Sequence, residues 1–462
     1  MLRNGMFSQN LFDASLYEYQ TPQPSWWEKT ADDKIILNAA PLASDETCDV
    51  AIIGGGYTGL SSAYHLAKDY NIDVRVFEAG HIGWGASGRN GGFCTMGGTQ
   101  IPIQRQIKTF GLDETKKYYH AQVEAVELVQ DILETENIDA QKQGNGEMVV
   151  AEKQSHFESL QEECQFTRDV LGIDCRMISQ GLFAETHYDA PHQHGAMIQY
   201  PSFGLHPLRY CQGLGNAAEK HGAILHSHSK ILRWHKQGNK HILETAQGKV
   251  TANKVIVACN GFMPENLKSE FSARTLPLQS QIIVTRVLND DELARYRWVS
   301  ETPAINSRNV YHYYRMLPEK RLMIGGRADF KGTPQGAKKT ASRLQNSIAE
   351  LWPEWRNLEI EYDWRGLVCF TSKLRPSIGR MPEDLSIYFG FGYHGNGVNN
   401  ATWTGREIAK WIVSGNDKSN PLPSHLPKLV QGITPKFPLP KLRPYYAKAG
   451  VGWHQLKDKF NL

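Results

Sequence analysis

The chain has 462 residues, 40% hydrophobic and 21% charged, enough for two or three domain-sized units or one doubly wound domain with a large insertion. Its 51 basic and 48 acidic residues leave a net charge of +3, too balanced for nucleic acid to be the main partner. No run approaches the roughly eighteen apolar residues of a membrane span, no signal-peptide core follows Arg3, and seven cysteines without a C-x-x-C pair read as reduced thiols, so a cytoplasmic enzyme is expected.

Residues 1–44, with Trp26-Trp27 and Pro22, Pro24 and Pro41, read as an arm laid over the body. Val50 to Ile53 is an apolar, β-branched run that predicts a buried parallel strand. It leads into Gly54-x-Gly56-Tyr57-Thr58-Gly59, after which Leu60, Ala63, Tyr64 and Ala67 recur at helical spacing. Gly54 permits a tight turn, Gly56 lets backbone approach a pyrophosphate, and Gly59 lets helix and strand pack closely. A second strand, Val74 to Phe77, ends in Glu78 and Ala79. An acid there accepts both ribose hydroxyls of an adenosine and repels a 2′-phosphate, which argues against NADP.

The loop that follows carries Gly85, Ala86, Ser87, Arg89, Asn90, Gly91 and Gly92, a concentration of backbone donors suited to a pyrophosphate or a flavin edge. Amphipathic helices are predicted over Tyr119 to Leu133 and Phe157 to Leu171, and a third from Pro207, whose fixed φ suits a first helical turn. Short strands lead to Val255–Ala258, a second buried parallel-type strand. Residues 266–360 mix strand-like stretches with one helix near 340–351. Near the carboxyl end, Ile387 to Phe391 precedes Gly392, Gly395, Asn396, Gly397 and Val398, then an apolar helix to Ile412. Those glycines admit a planar ring, and the helix start can set donors beside a flavin pyrimidine, so FAD is favoured over NAD. Residues 420–444 hold seven of the 22 prolines and predict an extended tail.

Strand-rich stretches set between pieces of a parallel fold imply an α/β chain with an α+β insert. We expect an N-terminal arm at 1–44, a cofactor-binding domain at 45–135, 195–265 and 360–415, a substrate domain at 136–194 and 266–359, and a Pro-rich tail at 416–462.

With Cys48-Asp49-Val50 running into Gly54–Ala63, the Gly85–Gly92 loop, His206-Pro207-Leu208, Tyr313-Tyr314-Arg315 and Arg375-Pro376 to Arg380, the chain resembles D-amino-acid-oxidase-type FAD-dependent oxidoreductases. Among these it is most similar to gamma-glutamylputrescine oxidoreductases, from about residue 15 to the end. The resemblance implies a Rossmann-like FAD-binding domain with an inserted, mainly antiparallel substrate sheet (the D-amino-acid-oxidase or glutathione-reductase-2 type). It also implies a reaction: an amine carbon gives a hydride to the flavin, the imine is hydrolysed to aldehyde and amine, and dioxygen or another acceptor reoxidises the flavin. Where that group has Ser-Gly-His-Gly, this chain has His394-Gly395-Asn396-Gly397.

His394 is a candidate to orient substrate or accept a proton. Arg315, beside Tyr313, is a candidate clasp for a substrate carboxylate. Trp364 and Phe391 are candidate walls for an alkyl amine. Cys369 falls one position from the flavin-linking cysteine of related sarcosine oxidases, so non-covalent FAD is expected. The His192/His194 and His226/His228 pairs lack the further ligands of a metal site, so none is expected. Two other functions stay open, an oxidase of amino acids or N-methyl amino acids and a flavin-binding protein without turnover. Oligomeric state is open.

Overall fold

In the computed structural model the described residues are 11–31, 39–414 and 425–443, with positions 445, 446, 448, 450 and 452 beyond them. The rest of the expected arm and tail lies outside the described residues.

The strand Glu46–Ile53 is the axis of an eight-stranded sheet. It pairs in parallel with Lys249–Val257 on one side and Val74–Phe77 on the other, so Ile256, Ile52 and Val76 lie abreast. Ile224–His226 and Asp384–Phe391 extend the parallel run outward, and Ser377–Met381 closes one edge antiparallel. A hairpin, Arg233–Gln237 with Lys240–Glu244, also pairs with Lys249–Val257. The central strand is apolar at every position from Val50 to Ile53 because both its faces are covered. Val50 and Ile52 join a core with Leu60, Tyr64, Leu214 and Ile408, whereas Ala51 and Ile53 join another with Leu243, Val257, Phe389 and Phe391. Alternation along a strand divides the residues in this way.

Helices Tyr57–Tyr70, Pro207–Lys220 and Gly397–Ser414 cover the first face. A Cβ on Gly405 would stand 2.6 Å from Ser61 Cβ, and Ser61 Oγ donates to Thr402 O at 2.6 Å, so small residues bring two helices into backbone contact.

The second eight-stranded sheet runs Ile360–Thr371, Thr275–Thr285, Leu322–Arg327, Tyr313–Met316, Ala304–Asn306, Glu147–Val150, Ala196–Gln199, Cys175–Ile178. Its pairs are antiparallel except Ala304–Asn306 with Glu147–Val150. Behind it lies an aromatic core in which Tyr188 stacks on Trp298 at 4.3 Å beside Trp352 and Trp355. Ala196–Gln199 and Ile360–Thr371 fall inside the segments expected for the cofactor domain but hydrogen-bond into this sheet. On that pairing we propose that both belong to the substrate unit.

Trp27 of the arm is 1% exposed and donates Nε1–H to Asn90 O at 2.9 Å. In the tail, Ile378 N donates to Val430 O and Gly432 N to Ile378 O, which lays residues 430–432 along the edge strand Ser377–Met381. None of the described helices is long and apolar enough to cross a membrane.

Trp27→Ala removes a buried indole and is expected to lower unfolding free energy by about 3–5 kcal/mol. Trp27→Phe, which loses chiefly the hydrogen bond to Asn90 O, should lose about 1–2 kcal/mol. Denaturant melts of the two variants check the order.

Candidate cofactor and substrate site

A cavity of about 890 Å³ lies between the parallel sheet and the second sheet. Its first half is built by the glycine turn. Gly54 has φ +113°, open to glycine at little strain, and a Cβ there would stand 2.8 Å from Ala258 O. A Cβ on Gly59 would stand 2.0 Å from Gly54 O, so Gly59 closes helix against strand and stays out of the cavity wall. Gly56, Tyr57 and Thr58 open the helix at the wall. Glu78 reaches the same wall with its carboxylate pinned, accepting from Gly55 N at 2.7 Å and Gly80 N at 3.0 Å. Ala79 and Ala258 lie beside it. Lys230, which sequence reasoning missed, adds a cation here, its ammonium 4.8 Å from the Tyr19 ring centre.

The next wall is the 85–92 loop. Gly85, Ala86, Ser87, Arg89, Asn90 and Gly91 line the cavity. Ser87 Oγ accepts from Tyr57 N at 3.0 Å. The Asn90 amide is spent inside the loop, donating to Ala86 O and Ser87 O and accepting from Gly92 N. Arg89 is 4% exposed, lies 3.9 Å over the Trp84 ring and donates Nε–H to Trp84 O, while its Nη2 has no protein partner. Burial pushes its guanidinium down to about 9. Gly92 does not reach the cavity; a Cβ there would stand 1.9 Å from Leu205 O.

The other half comes from the last strand–helix junction and the second sheet. Gly395, Asn396, Gly397 and Val398 line the cavity, whereas Gly392 packs on Thr371 behind it. His394 lines it too, at 2% exposure and φ +52°. Its ring lies edge-on to Phe370 at 4.8 Å, its Nε2 is 3.4 Å from Thr371 Oγ1, and its Nδ1 is buried without a partner. Burial pushes the imidazole down to about 4, so it is neutral at pH 7. Tyr313 presents its ring, with its hydroxyl 2.9 Å from Ser280 Oγ.

Arg315 does not reach the cavity. It is 1% exposed, and its donors are taken by Gly91 O (3.2 Å), Gln143 Oε1 (2.7 Å) and Leu205 O (2.6 Å). The expectation of a carboxylate clasp at Arg315 is therefore corrected: its guanidinium is an internal staple. Trp364, which donates Nε1–H to Arg89 O, and Phe391, in the core beneath the parallel sheet, are likewise absent from the wall. Cys369 does line it, its thiol pushed up to about 12 by burial. Among the described residues no three His, Cys, Asp or Glu side chains gather as for a metal ion.

Two charged residues at the substrate end escaped sequence reasoning. Arg327, at the end of Leu322–Arg327, lines the cavity with Nε and Nη2 buried and unpartnered. Burial and the neighbouring Arg343 push it down to about 10, and among the described residues no carboxylate pairs with it. Glu147, at the start of Glu147–Val150, is 8% exposed, and burial pushes its carboxyl up to about 8. Gly325-Gly326-Arg327 at a strand end is a signal that could have flagged the first; nothing local marks the second.

These residues fit FAD. The glycine turn and Glu78 suit an adenosine and pyrophosphate, the free Arg89 Nη2 points to an anion, and the orphan His394 Nδ1 lies where a polar ring edge would satisfy it.

Arg315→Met is expected to lower stability by about 3 kcal/mol, since a buried guanidinium with three acceptors is removed, while KM for the substrate stays unchanged. Denaturant unfolding together with steady-state kinetics checks this.

The profile of the FAD dependent oxidoreductases, DAO, matches residues 49–411. The chain is 28% identical over 427 residues to the gamma-glutamylputrescine oxidoreductase of Escherichia coli (strain K12), covering 90% of this chain and 94% of that protein. It is 24% identical to the glycine oxidase of Bacillus subtilis (strain 168), covering 79% and 93%. Among solved structures, glycine oxidase from Geobacillus kaustophilus superposes with a TM-score of 0.64 at 21% identity, covering 81% of this chain and 97% of the other. With the glycine turn, the acid after the second strand and the 85–92 loop assembled on one cavity, the chain belongs to the DAO family of FAD-dependent oxidoreductases, which act on amine or amino-acid donors.

Proposed function

We propose that the protein oxidises a long amine carrying a carboxylate at its far end, of the gamma-glutamylputrescine kind. The observation that carries this reading is one cavity with an unpaired guanidinium, Arg327, and a buried carboxyl, Glu147, that has no counter-ion among the described residues. Their strands are three strand spacings apart in one sheet, and the register sets the two residues four positions apart along it, so they stand roughly 19 Å from each other, a span suited to an extended bifunctional substrate once two long side chains reach inward. The similarity to a gamma-glutamylputrescine oxidoreductase supports the same choice.

Arg327 would hold the carboxylate through its free Nε–H and Nη2–H, the two-donor geometry in which guanidinium binds carboxylate best. Leu276, Leu278, Ile282 and Ile305 line the space and keep water from the reacting carbon. The neutral imidazole of His394 offers Nδ1 to a polar edge without adding charge, and the Tyr313 hydroxyl is set by Ser280. FAD, held without a covalent bond by the turn, Glu78 and the 85–92 loop, would accept the hydride of the amine carbon and pass the electrons to dioxygen or another acceptor.

Anaerobic gamma-glutamylputrescine is expected to bleach the visible absorbance of the purified yellow protein. Bleaching only by N-methyl or other amino acids would move the substrate to that class, and no bleaching by either would leave a flavin protein without turnover. Arg327→Met should raise KM for gamma-glutamylputrescine roughly ten- to a hundredfold at nearly unchanged kcat. For putrescine, which lacks the carboxylate, the variant should behave as wild type. Acid precipitation should release all FAD into the supernatant; FAD retained on the protein would show a covalent link.

A further inference from the structure

Asn396, on the cavity wall, reaches back to the segment that follows the Phe93–Cys94 strand. Its Nδ2 donates to Met96 O at 3.1 Å and to Thr95 Oγ1 at 3.2 Å. The carbonyl can only accept, so the amide orientation is fixed, and Thr95 Oγ1 must receive. That leaves the Thr95 hydroxyl hydrogen free to turn toward the carboxyl of Glu147, which Thr95 holds down against the upward push of burial. Thr95 is 1% exposed, so water does not compete for this chain.

Glu147 otherwise lacks company. The strands on either side of it, Ala304–Asn306 and Ala196–Gln199, carry no ionisable side chain. The Phe93–Cys94 strand brings one buried thiol, held neutral by burial. The Tyr311 phenol is the titratable group that faces the carboxyl, and it too lines the cavity. A buried carboxyl on a cavity wall, with a hydroxyl beside it and no cation paired to it among the described residues, is arranged to meet a cationic ligand.

We propose that Glu147 binds the substrate's ammonium nitrogen and takes its proton, with Thr95 and Asn396 as positioning residues that fix the carboxylate. The inference rests on the amine-oxidation reading above. At neutral pH the empty cavity holds Glu147 protonated, so arrival of the ammonium releases one proton to water and forms an ion pair. An N–H bond of the ammonium then breaks, an O–H bond forms on Glu147, and the electron pair stays on nitrogen as the lone pair that assists hydride loss. Burial favours this neutral pair over two charges.

The sign of the pH dependence follows. Below the Glu147 break, each unit of rising pH removes the proton that binding must expel, so apparent affinity for the ammonium should improve about tenfold per unit. The improvement should level off near pH 8, to which burial raises this carboxyl.

The test uses the FAD-loaded enzyme. Infrared difference spectra recorded without substrate as pH is raised should show loss of a protonated-carboxyl band that Glu147→Gln lacks. Rapid mixing with anaerobic gamma-glutamylputrescine should show at least a hundredfold slower flavin reduction in Glu147→Gln, with the pH break gone, and partial recovery in Glu147→Asp. Thr95→Val should move the break upward and Thr95→Ser should restore it, a change that mere loosening of the fold would not produce. A wild-type pH profile and reduction rate in Glu147→Gln, or no carboxyl band in the wild type, would overturn the proposal. Should Glu147→Gln fail to load FAD, an unmoved break in Thr95→Val overturns it equally. If gamma-glutamylputrescine leaves the wild type yellow, the substrate reading fails, and Glu147 is judged on the infrared band and on whichever amine does bleach the enzyme.

Discussion

Four consecutive carbonyls hold this molecule's two halves to its cofactor loop. Arg89 O accepts from Trp364 of the second sheet, Asn90 O from Trp27 of the arm, Gly91 O from Arg315 and Gly92 O from Leu205 N. Each carbonyl turned outward removes a negative dipole end from the wall proposed to meet a pyrophosphate. The indoles and the guanidinium are almost fully buried, so water does not loosen these bonds. Arm, substrate sheet and nucleotide turn are thereby referred to one short loop, and the cavity between them keeps its shape.

The cavity's charged groups show the opposite economy. Arg89, Arg327, Glu147 and His394 are held against its wall with polar atoms that the protein leaves without a partner or without a counter-ion. Such groups weaken a fold when nothing answers them. Elsewhere the chain satisfies its buried charge: Glu136 gathers Lys68, Lys220, His221 and Tyr64, and its carboxyl is held down to about 2. The contrast locates ligand chemistry at the cavity, where the proposed reading sets anion-seeking groups toward phosphates and a substrate carboxylate, and an acid toward an amine.

What the sequence by itself determined is what depends on neighbours along the chain. The Val50–Ile53 run, the glycines at 54, 56 and 59, Glu78 and the 85–92 loop all act within one strand–turn–helix–strand unit, so spacing disclosed a dinucleotide site, and the glycines at 392–397 turned the choice to FAD. The apolar helix after Gly397 and the amphipathic helices were legible for the same reason. The substrate end depended on register between distant strands. Tyr313 and Arg315 share one strand face, yet two residues, roughly 7 Å, carry Arg315 from the cavity to a place beneath Gly91 and Leu205. Tyr313 pairs with Gly325, whose missing side chain gives the tyrosine ring its place, and two residues further Arg327 emerges at the wall with its donors free. Glu147, Thr95 and Asn396 meet only because three remote segments converge, and no local pattern marks such a meeting. Tertiary structure alone decided which arginine is a staple and which is open to a ligand, because burial and the count of nearby acceptors, not residue type, set what a buried charge can bind.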